Sequence, residues 1–303
     1  MSEIELIEEI RRLKKLKNAI ILAHNYQIPE IQDIADVVGD SLKLSQEAAK
    51  TKAEIIILSG VSFMAESAKI LSPNKKVLLP VYDAGCPMAD MIDVNKLKQF
   101  KREYPNAPVV CYVNSSAEVK AESDICCTSS NALKVIRSLS SNKVLFIPDM
   151  NLGDYIAKQL PQKEIISWKG FCITHHRVKT QEALASKKSL PEAPILAHPE
   201  CSQAVVALAD FVGSTSQIIN YVRESSKQTF IIGTEMGVLH QLNKENPDKK
   251  FYLLSQGLIC TNMKKTRLKD IYEALLTEKN EILIDEVVRL KAFKSLNRML
   301  NLS

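Results

Sequence analysis

The sequence predicts an α/β protein made of three similar three-layer units, each with a parallel sheet between helices, around a pseudo-threefold axis. Three observations predict this fold: a motif order that repeats about every 87 residues, an alternation of β-type and helical stretches, and strands that are apolar on both faces. Such strands are typical of parallel sheets covered by helices on both sides. Polar groups at the strand ends are then expected to face one centre.

Length and composition indicate a folded globular protein with a substantial core. The chain has 303 residues, of which 46% are hydrophobic and 25% are charged. The net charge of +5 is spread along the chain, so no basic stripe indicates nucleic-acid binding. The N-terminus is acidic, unlike a signal peptide, and no apolar run approaches the ~20 residues of a membrane span. We expect a cytoplasmic protein without nucleic-acid or membrane partners.

Four sets of residues recur once in each third of the chain, at spacings of 86 or 88 residues. They are His24, Tyr112 and His198; Asp36, Asp124 and Asp210; Met64, Met150 and Met236; and Cys86, Cys172 and Cys260. One such set can arise by chance, whereas four sets indicate three copies of one unit. We expect the methionines to fill the core or the floor of a central cavity.

Each copy is expected to run helix, strand, helix, strand, helix, strand. The first copy contains the apolar runs Ala19–Leu22, Ile55–Leu58 and Val77–Val81. Two helical patterns, Leu268–Thr277 and Glu281–Leu302, follow the third copy, and we expect them to pack on the first unit. The predicted domains are 1–86 with 262–303, 87–172, and 173–261.

Polar residues follow the predicted strands in every copy, where parallel sheets collect functional groups. The strand ends carry His24, Asn25 and Tyr26; Tyr112 and Asn114; and His198 and Glu200. The starts of the following helices carry Asp40 and Ser41; Thr128 and Ser129; and Ser214 and Thr215. Hydroxyls at helix starts either cap the helix or bind carboxylate and phosphate groups.

The seven cysteines contain no CxxC spacing, which argues against sites that draw their ligands from one short loop. Cys86, Cys172 and Cys260 can meet only near the pseudo-threefold axis. Three thiolates there would bind three irons of a cubane cluster and leave the fourth iron open as a Lewis acid. The alternative is that they are small buried residues in equivalent packing positions. We expect buried thiols at Cys111, Cys126, Cys127 and Cys201.

Seven motifs across the chain resemble those of the quinolinate synthase family. They are AHNYQ at 23–27, DAGCPMADM at 83–91, CYVNSSAEVKAESDICCTSSNA at 111–132, GFCITHH at 170–176, AHPEC at 197–201, VGSTSQ at 212–217 and GTEMG at 233–237. The resemblance implies three Rossmann-like domains with the active site at their centre. It also implies a [4Fe-4S] cluster bound by Cys86, Cys172 and Cys260 at the bottom of a central cavity.

The resemblance further implies an activity in NAD biosynthesis. Iminoaspartate, supplied by an aspartate-oxidising partner such as L-aspartate oxidase or aspartate dehydrogenase, would condense with dihydroxyacetone phosphate. The products would be quinolinate, phosphate and water. Both substrates are anionic, which suits the hydroxyl-bearing helix starts.

Residue roles follow from the chemistry that this reaction needs. Glu200 is the leading general base, and Tyr26 and Tyr112 would transfer protons to and from leaving hydroxyls. His24 and His198 would bind anionic groups or share the acid and base work.

Other residues would hold the substrates or support the cluster. Asn114 would orient a substrate, and Glu235 would support the site from behind. His175 and His176 would either tune the cluster through hydrogen bonds or lie at the surface. Substrate oxygens would be held by Ser41, Ser129, Ser214 and Thr215, alongside the catalytic residues.

Two other functions stay open at this point. An iron–sulfur hydro-lyase would use the same open iron to remove water from a hydroxy acid, without releasing phosphate. A non-enzymatic iron–sulfur sensor would need no acid–base residues around the cluster. Convergence of the predicted side chains on one cavity would argue against the sensor.

Overall fold

The computed structural model of the protein describes residues 1–302. Three four-stranded sheets lie in this range, one in each third of the chain, and all their strand pairs are parallel. In every sheet the first strand lies between the second and the third, and the fourth lies beyond the third. The predicted α/β fold of three similar units is confirmed. No helix within residues 1–302 has both the length and the apolar character needed to cross a membrane.

The first unit alternates helices and strands from its N-terminus. Its strands are β1 (Ala19–His24), β2 (Val37–Gly39), β3 (Ile55–Ser59) and β4 (Lys76–Leu78). Its helices are α1 (Glu3–Leu16), α2 (Pro29–Ile34), α3 (Ser41–Lys50) and α4 (Ser62–Leu71). Strand β3 is buried along its whole length, as a strand covered on both faces must be.

The second unit repeats this order after a turn of 3-10 helix at Ala89–Met91. Its strands are β5 (Val109–Tyr112), β6 (Ile125–Cys127), β7 (Lys143–Ile147) and β8 (Glu164–Ser167). Its helices are α5 (Val94–Glu103), α6 (Ala117–Ala121), α7 (Ala132–Ser138) and α8 (Met150–Gln159).

The third unit begins with two helices and is followed by the C-terminal tail. Its strands are β9 (Ile195–Ala197), β10 (Phe211–Val212), β11 (Thr229–Gly233) and β12 (Lys250–Leu253). Its helices are α9 (Ile173–His176), α10 (Thr180–Ser189), α11 (Gln203–Val206), α12 (Thr215–Glu224) and α13 (Val238–Glu245). A 3-10 turn at Asn262–Lys264 leads to the tail helices α14 (Leu268–Thr277) and α15 (Glu286–Leu300).

Each unit has four strands, whereas the sequence pattern predicted three. The additional strands are β2, β6 and β10, which are only three, three and two residues long and lie at the sheet edge. Runs this short carry no readable periodicity, so their pairing with the central strand depends on the tertiary fold.

The repeated aspartates hold the first half of the central strand in each unit. The pairs are Asp36 with Ile21, Asp124 with Val109, and Asp210 with Ile195. In each pair the carboxylate accepts the backbone N–H of the strand residue, at 2.8 to 2.9 Å. The aspartate's own N–H donates to the carbonyl of that residue, at 2.9 to 3.1 Å. This doubled contact explains why the aspartate recurs with the strand.

The methionine set, in contrast, is not structurally equivalent. Backbone N–H groups bond to the carbonyl of a later residue in the pairs Ser62 with Ala84, Met150 with Gly170 and Met236 with Leu258. The counterpart of Met150 and Met236 is therefore Ser62, and Met64 lies two residues further on. Met64 is buried in the core, as predicted, whereas Met236 is 37% exposed and none of the three lines the cavity, so the prediction of core or cavity floor fails for Met236.

The tail helices pack in two different places. Helix α14 packs on α1 and β3 of the first unit, as expected. Helix α15 packs on α4 of the first unit but mainly on α6 and β6 of the second, so this part of the prediction holds only in part. Its buried residues Ala292, Leu296 and Met299 recur at helical spacing and join the core shared by the first two units. The sequence indicates this apolar face of α15, but the tertiary fold decides which unit the face packs against.

Loss of one repeated aspartate tests the doubled contact at the strand start. Asp124→Ala is expected to lower the free energy of unfolding by roughly 1–3 kcal/mol, because the N–H of the fully buried Val109 loses its acceptor. Asp124→Asn keeps an oxygen acceptor and is expected to lose much less. Chemical denaturation of both variants measures this, and equal losses would show that charge, rather than the hydrogen bond, matters.

Candidate active site

One cavity of about 140 Å³ lies where the carboxyl ends of the three sheets meet. The structure brings together on its wall nearly all the residues that the sequence singled out. They are His24, Tyr26, Ser41, Tyr112, Asn114, Ser129, His198, Glu200 and Thr215, with Cys86, Cys172 and Cys260. All three units therefore contribute side chains to a single site.

Ser214 is the exception among the predicted site residues, because it does not line this cavity. Its hydroxyl caps α12 by accepting the N–H of Gln217 at 3.3 Å. The same oxygen lies 2.8 Å from Ser130 Oγ, which in turn lies 2.8 Å from Asp40 Oδ2. These contacts engage the Ser214 hydroxyl in a junction of the three units. The structure therefore gives Ser214 a capping role outside this cavity.

Glu200 is the centre of the hydrogen-bond network and is almost fully buried. Its Oε1 accepts the Tyr112 hydroxyl at 2.6 Å, and its Oε2 lies 2.8 Å from His175 Nδ1. Burial alone would raise the pKa of this carboxyl. The nearby His198 and His175, with the hydrogen bonds from His175 and Tyr112, outweigh burial and hold the pKa below its usual range. The group is an ionised carboxylate at neutral pH.

His24 and His198 share one local arrangement. Each ring Nδ1 accepts the backbone N–H of the residue two positions later, Tyr26 at 3.1 Å and Glu200 at 3.3 Å. This bond leaves the hydrogen on Nε2, which in His198 lies 3.2 Å from Ser129 Oγ. Burial lowers the pKa of both histidines to about 4, so both rings are neutral donors at neutral pH.

A chain of hydrogen bonds connects Tyr26 to Glu200. The Tyr26 hydroxyl lies 2.8 Å from Thr215 Oγ1 and 2.7 Å from Thr234 Oγ1. Thr234 Oγ1 lies 2.9 Å from Nε2 of His175, whose Nδ1 faces Glu200. Burial, followed by the Glu200 charge, raises the pKa of Tyr26 well above its usual value, so the phenol stays protonated.

The same two causes raise the pKa of Tyr112. The cavity thus brings the ionised carboxylate of Glu200 together with two protonated phenols. This is the combination that proton abstraction followed by loss of a hydroxyl group requires.

Sequence reasoning missed Thr234 and left His175 undecided between the site and the surface. His175 is 1% exposed and faces the cavity, so its place is in the site. Thr234 follows β11 directly, and its position at a strand end is the signal that would have found it.

Tyr26 is held in place by contacts between the first and third units. Gln32 Nε2 donates to the carbonyls of Asn25, Gln27 and Gly237, at 2.9 to 3.0 Å. A side chain on Gly237 would come within 2.7 Å of the Tyr26 backbone, so only glycine fits this approach. The motifs at 23–27 and 233–237 thereby form one structural element.

The three repeated cysteines share a second arrangement, distinct from that of the histidines. Each precedes a short helical turn, and the backbone N–H of the residue three positions later lowers the pKa of its thiol, against the larger effect of burial. The pairs are Cys86 with Ala89, Cys172 with His175 and Cys260 with Met263. N–H groups directed at sulfur favour thiolate over thiol.

Burial nevertheless keeps the three thiols protonated in the absence of a metal. It raises the pKa of Cys86 to about 12, with further increases from Cys260 and Glu200, and it also raises the pKa of Cys172 and Cys260. All three are free cysteines. Cys172 Sγ also lies 3.2 Å from His175 Nδ1, so these two residues and Glu200 form a group close enough to hold a metal ion.

The remaining cysteines are fully buried, as the sequence predicted. They are Cys111, Cys126, Cys127 and Cys201, and none of them lines the cavity.

Comparison with known proteins matches the whole chain to one family. The family described as quinolinate synthetase A protein matches residues 8–301. The chain belongs to the quinolinate synthase family. It is similar to the quinolinate synthase of Alkaliphilus metalliredigens, at 72% identity over 302 residues that cover both chains completely. The quinolinate synthase of Clostridium kluyveri is 55% identical over 302 residues and the full length of both chains.

The quinolinate synthase of Caldicellulosiruptor saccharolyticus is 56% identical, over 99% of this chain and all of its own. Family membership confirms the resemblance drawn from the seven motifs. It also confirms the prediction of an enzyme of NAD biosynthesis.

The neutral buried histidines predict a pH dependence of stability. Their pKa values lie near 4 in the folded protein and near 6.5 in the unfolded chain, so unfolding takes up protons between these values. Their contribution is complete above pH ~6.5 and is lost as the pH falls toward ~4.

Thermal unfolding across this pH range measures the effect. The double variant His24→Asn, His198→Asn is expected to show a shallower loss of Tm toward acid pH than the wild type. Parallel curves for the two proteins would contradict the assignment of neutral histidines.

Proposed function

We propose that this protein condenses iminoaspartate with dihydroxyacetone phosphate to form quinolinate, phosphate and water. The main support is the convergence of Glu200, Tyr26 and Tyr112 with three cysteines on one cavity, because these groups come from three separate units. Acid–base groups beside a set of potential metal ligands suit a condensation that also eliminates water.

Cys86, Cys172 and Cys260 would hold a [4Fe-4S] cluster in this proposal. The donor set fits, since three free thiols face one cavity and a nearby backbone N–H favours the thiolate form of each. A cluster with three cysteine ligands supplies one open iron that acts as a Lewis acid on a substrate oxygen or nitrogen.

The rest of the cavity wall would bind two anionic substrates. Ser41 and Thr215 are the first residues of α3 and α12, so two helix N-termini reach the cavity. His24 and His198 add neutral Nε2–H donors, and Ser129 lies beside the second of them. Carboxylate and phosphate oxygens would be held by these groups, with Asn114 orienting the carbon skeleton.

Glu200 would remove the substrate protons, because it is ionised and hydrogen-bonded within the cavity. Tyr112, which already donates to Glu200, would supply a proton to a leaving hydroxyl and recover one from the carboxylate. Tyr26 would do the same at the other side of the cavity. His175 and Thr234 would return protons between Tyr26 and Glu200 through their hydrogen bonds.

The supply of iminoaspartate places the reaction beside an enzyme that oxidises aspartate. An imine hydrolyses in water, so its source must act close by. L-aspartate oxidase or aspartate dehydrogenase would serve as this functional partner in the cytoplasm.

The competing functions differ in products. A hydro-lyase acting on a hydroxy acid would release water without phosphate, and a sensor would release neither. The site favours catalysis over sensing, because sensing gives no reason for a buried carboxylate and two protonated phenols in one cavity.

Glu200→Gln tests the proposed base while preserving the shape of the side chain. Quinolinate formation and phosphate release from fresh iminoaspartate and dihydroxyacetone phosphate, assayed without oxygen, are expected to fall by ~100-fold or more. Iron measured on the same samples is expected to stay unchanged. Wild-type rates in the variant would remove Glu200 from the mechanism, and no quinolinate from iron-loaded wild type would contradict the proposed function.

Thr234→Val tests the connection between Tyr26 and His175. The substitution removes the hydroxyl at nearly constant volume and is expected to lower kcat by about tenfold, the cost of about 1.4 kcal/mol of hydrogen bonding. Thr234→Ser keeps the hydroxyl and serves as the matched control. Equal kcat in the two variants would show that the connection carries no protons.

A further inference from the structure

A buried carboxylate lies behind the cysteine turn of the second unit. Asp149 Oδ2 accepts the backbone N–H of Cys172 at 3.1 Å, and its Oδ1 accepts that of Leu152 at 2.8 Å. The side chain is 0% exposed and does not line the cavity. Both carboxylate oxygens of Asp149 therefore accept hydrogen bonds from the backbone of its own unit.

A second carboxylate has the same position in the third unit. Glu235 Oε1 accepts the backbone N–H of Cys260 at 3.0 Å, and its Oε2 accepts that of Gly237 at 2.7 Å. Lys264 Nζ lies 3.0 Å from Oε2 and provides the opposite charge. Glu235 is also 0% exposed.

The two carboxylates are equivalent by backbone hydrogen bonding. The residue that follows each of them, Met150 or Met236, donates its N–H to the carbonyl of the residue two positions before the cysteine. Each cysteine turn is thus fixed at two points, by a carboxylate and by a backbone N–H. Hydrogen bonds at the cysteine N–H and at the carbonyl two residues earlier fix this short segment of backbone, and thereby set the direction of the thiol.

The cysteine turn of the first unit is held by different contacts. Its equivalent residue is Val61, which has no side-chain acceptor for the N–H of Cys86. The turn before Cys86 is held from the tail instead. Asn262 Nδ2 donates to the carbonyl of Gly85 at 2.8 Å, and Lys265 Nζ lies 2.7 Å from a carboxylate oxygen of Asp83.

We propose that Asp149 and Glu235 are positioning residues, which hold Cys172 and Cys260 in the conformation that binds the cluster. The inference rests on the proposed cluster but adds two residues with another role. Asp149 lies outside the cavity, and Glu235, on the cavity wall, uses both its oxygens to accept backbone N–H groups. Partners of this kind typically change metal affinity by about 10- to 100-fold when they are replaced.

The test uses the isosteric variants Asp149→Asn and Glu235→Gln. Each amide keeps one acceptor oxygen but turns an NH₂ group toward a backbone N–H, so one bond is lost. Glu66→Gln is the matched control, because Glu66 is a largely buried carboxyl that accepts the N–H of Ala117 at 2.8 Å outside the cavity. All proteins are loaded with iron and sulfide without oxygen, and cluster absorbance is followed in excess ferrous chelator.

Cluster loss is expected to be on the order of tenfold faster in the Asp149 and Glu235 variants than in wild type and Glu66→Gln. The electron paramagnetic resonance spectrum of the reduced cluster is expected to change in these two variants only. Asp149→Glu is expected to restore slow loss, since the third unit uses glutamate at this position. If both amide variants lose the cluster at the wild-type rate and show the wild-type spectrum, the positioning role is contradicted and the proposed function is not affected. If the wild-type protein assembles no cluster, both the positioning role and the proposed function are contradicted.

Discussion

The site depends on one geometric constraint, namely that the carboxyl ends of three parallel sheets open onto the same cavity. A parallel sheet places all its strand ends at one edge, so each unit delivers its polar residues in one direction. Because three such edges surround one cavity, residues that are far apart in the sequence lie close together in space. Glu200 and Tyr112 are 88 residues apart in the chain and 2.6 Å apart in space.

The repeat also explains how one scaffold supports different chemistry at equivalent positions. Positions 26, 114 and 200 are a tyrosine, an amide and a carboxylate, each two residues after His24, Tyr112 or His198. The backbone that presents them is the same, because the aspartate contact holds the first half of the central strand in each unit. At these three positions the divergence lies in side chains that face the cavity, where it creates a base, an acid and an orienting group.

Burial is what gives these side chains their chemical character. Hydrogen bonds from Tyr112 and His175 help to keep a carboxylate as buried as Glu200 ionised, since an unpaired buried charge is strongly unfavourable. The same environment keeps both phenols protonated and both strand-end histidines neutral. Burial and local hydrogen bonding therefore give the side chains of one cavity both acid and base character.

Much of this could be predicted from the sequence, because long apolar strands and repeated spacings report backbone positions directly. The convergence of Tyr26 with Glu200 followed from strand ends alone. The strand β2 is not predicted because three residues show no period. The packing of α15 on the second unit is not predicted because an apolar helix face does not indicate which surface it packs against. Thr234 and Ser214 depend on side-chain direction, which tertiary packing decides.

In the proposed function, three cysteines from three units form one cluster site. Iron and acid-labile sulfide should be measured on protein purified without oxygen, for wild type and for single serine variants of Cys86, Cys172, Cys260 and, as a buried control, Cys201. About four irons per chain are expected in wild type and in Cys201→Ser, and the iron content of each of the other three variants is expected to be strongly reduced. Folded wild-type protein without iron, or iron that is indifferent to all four substitutions, would contradict this proposal.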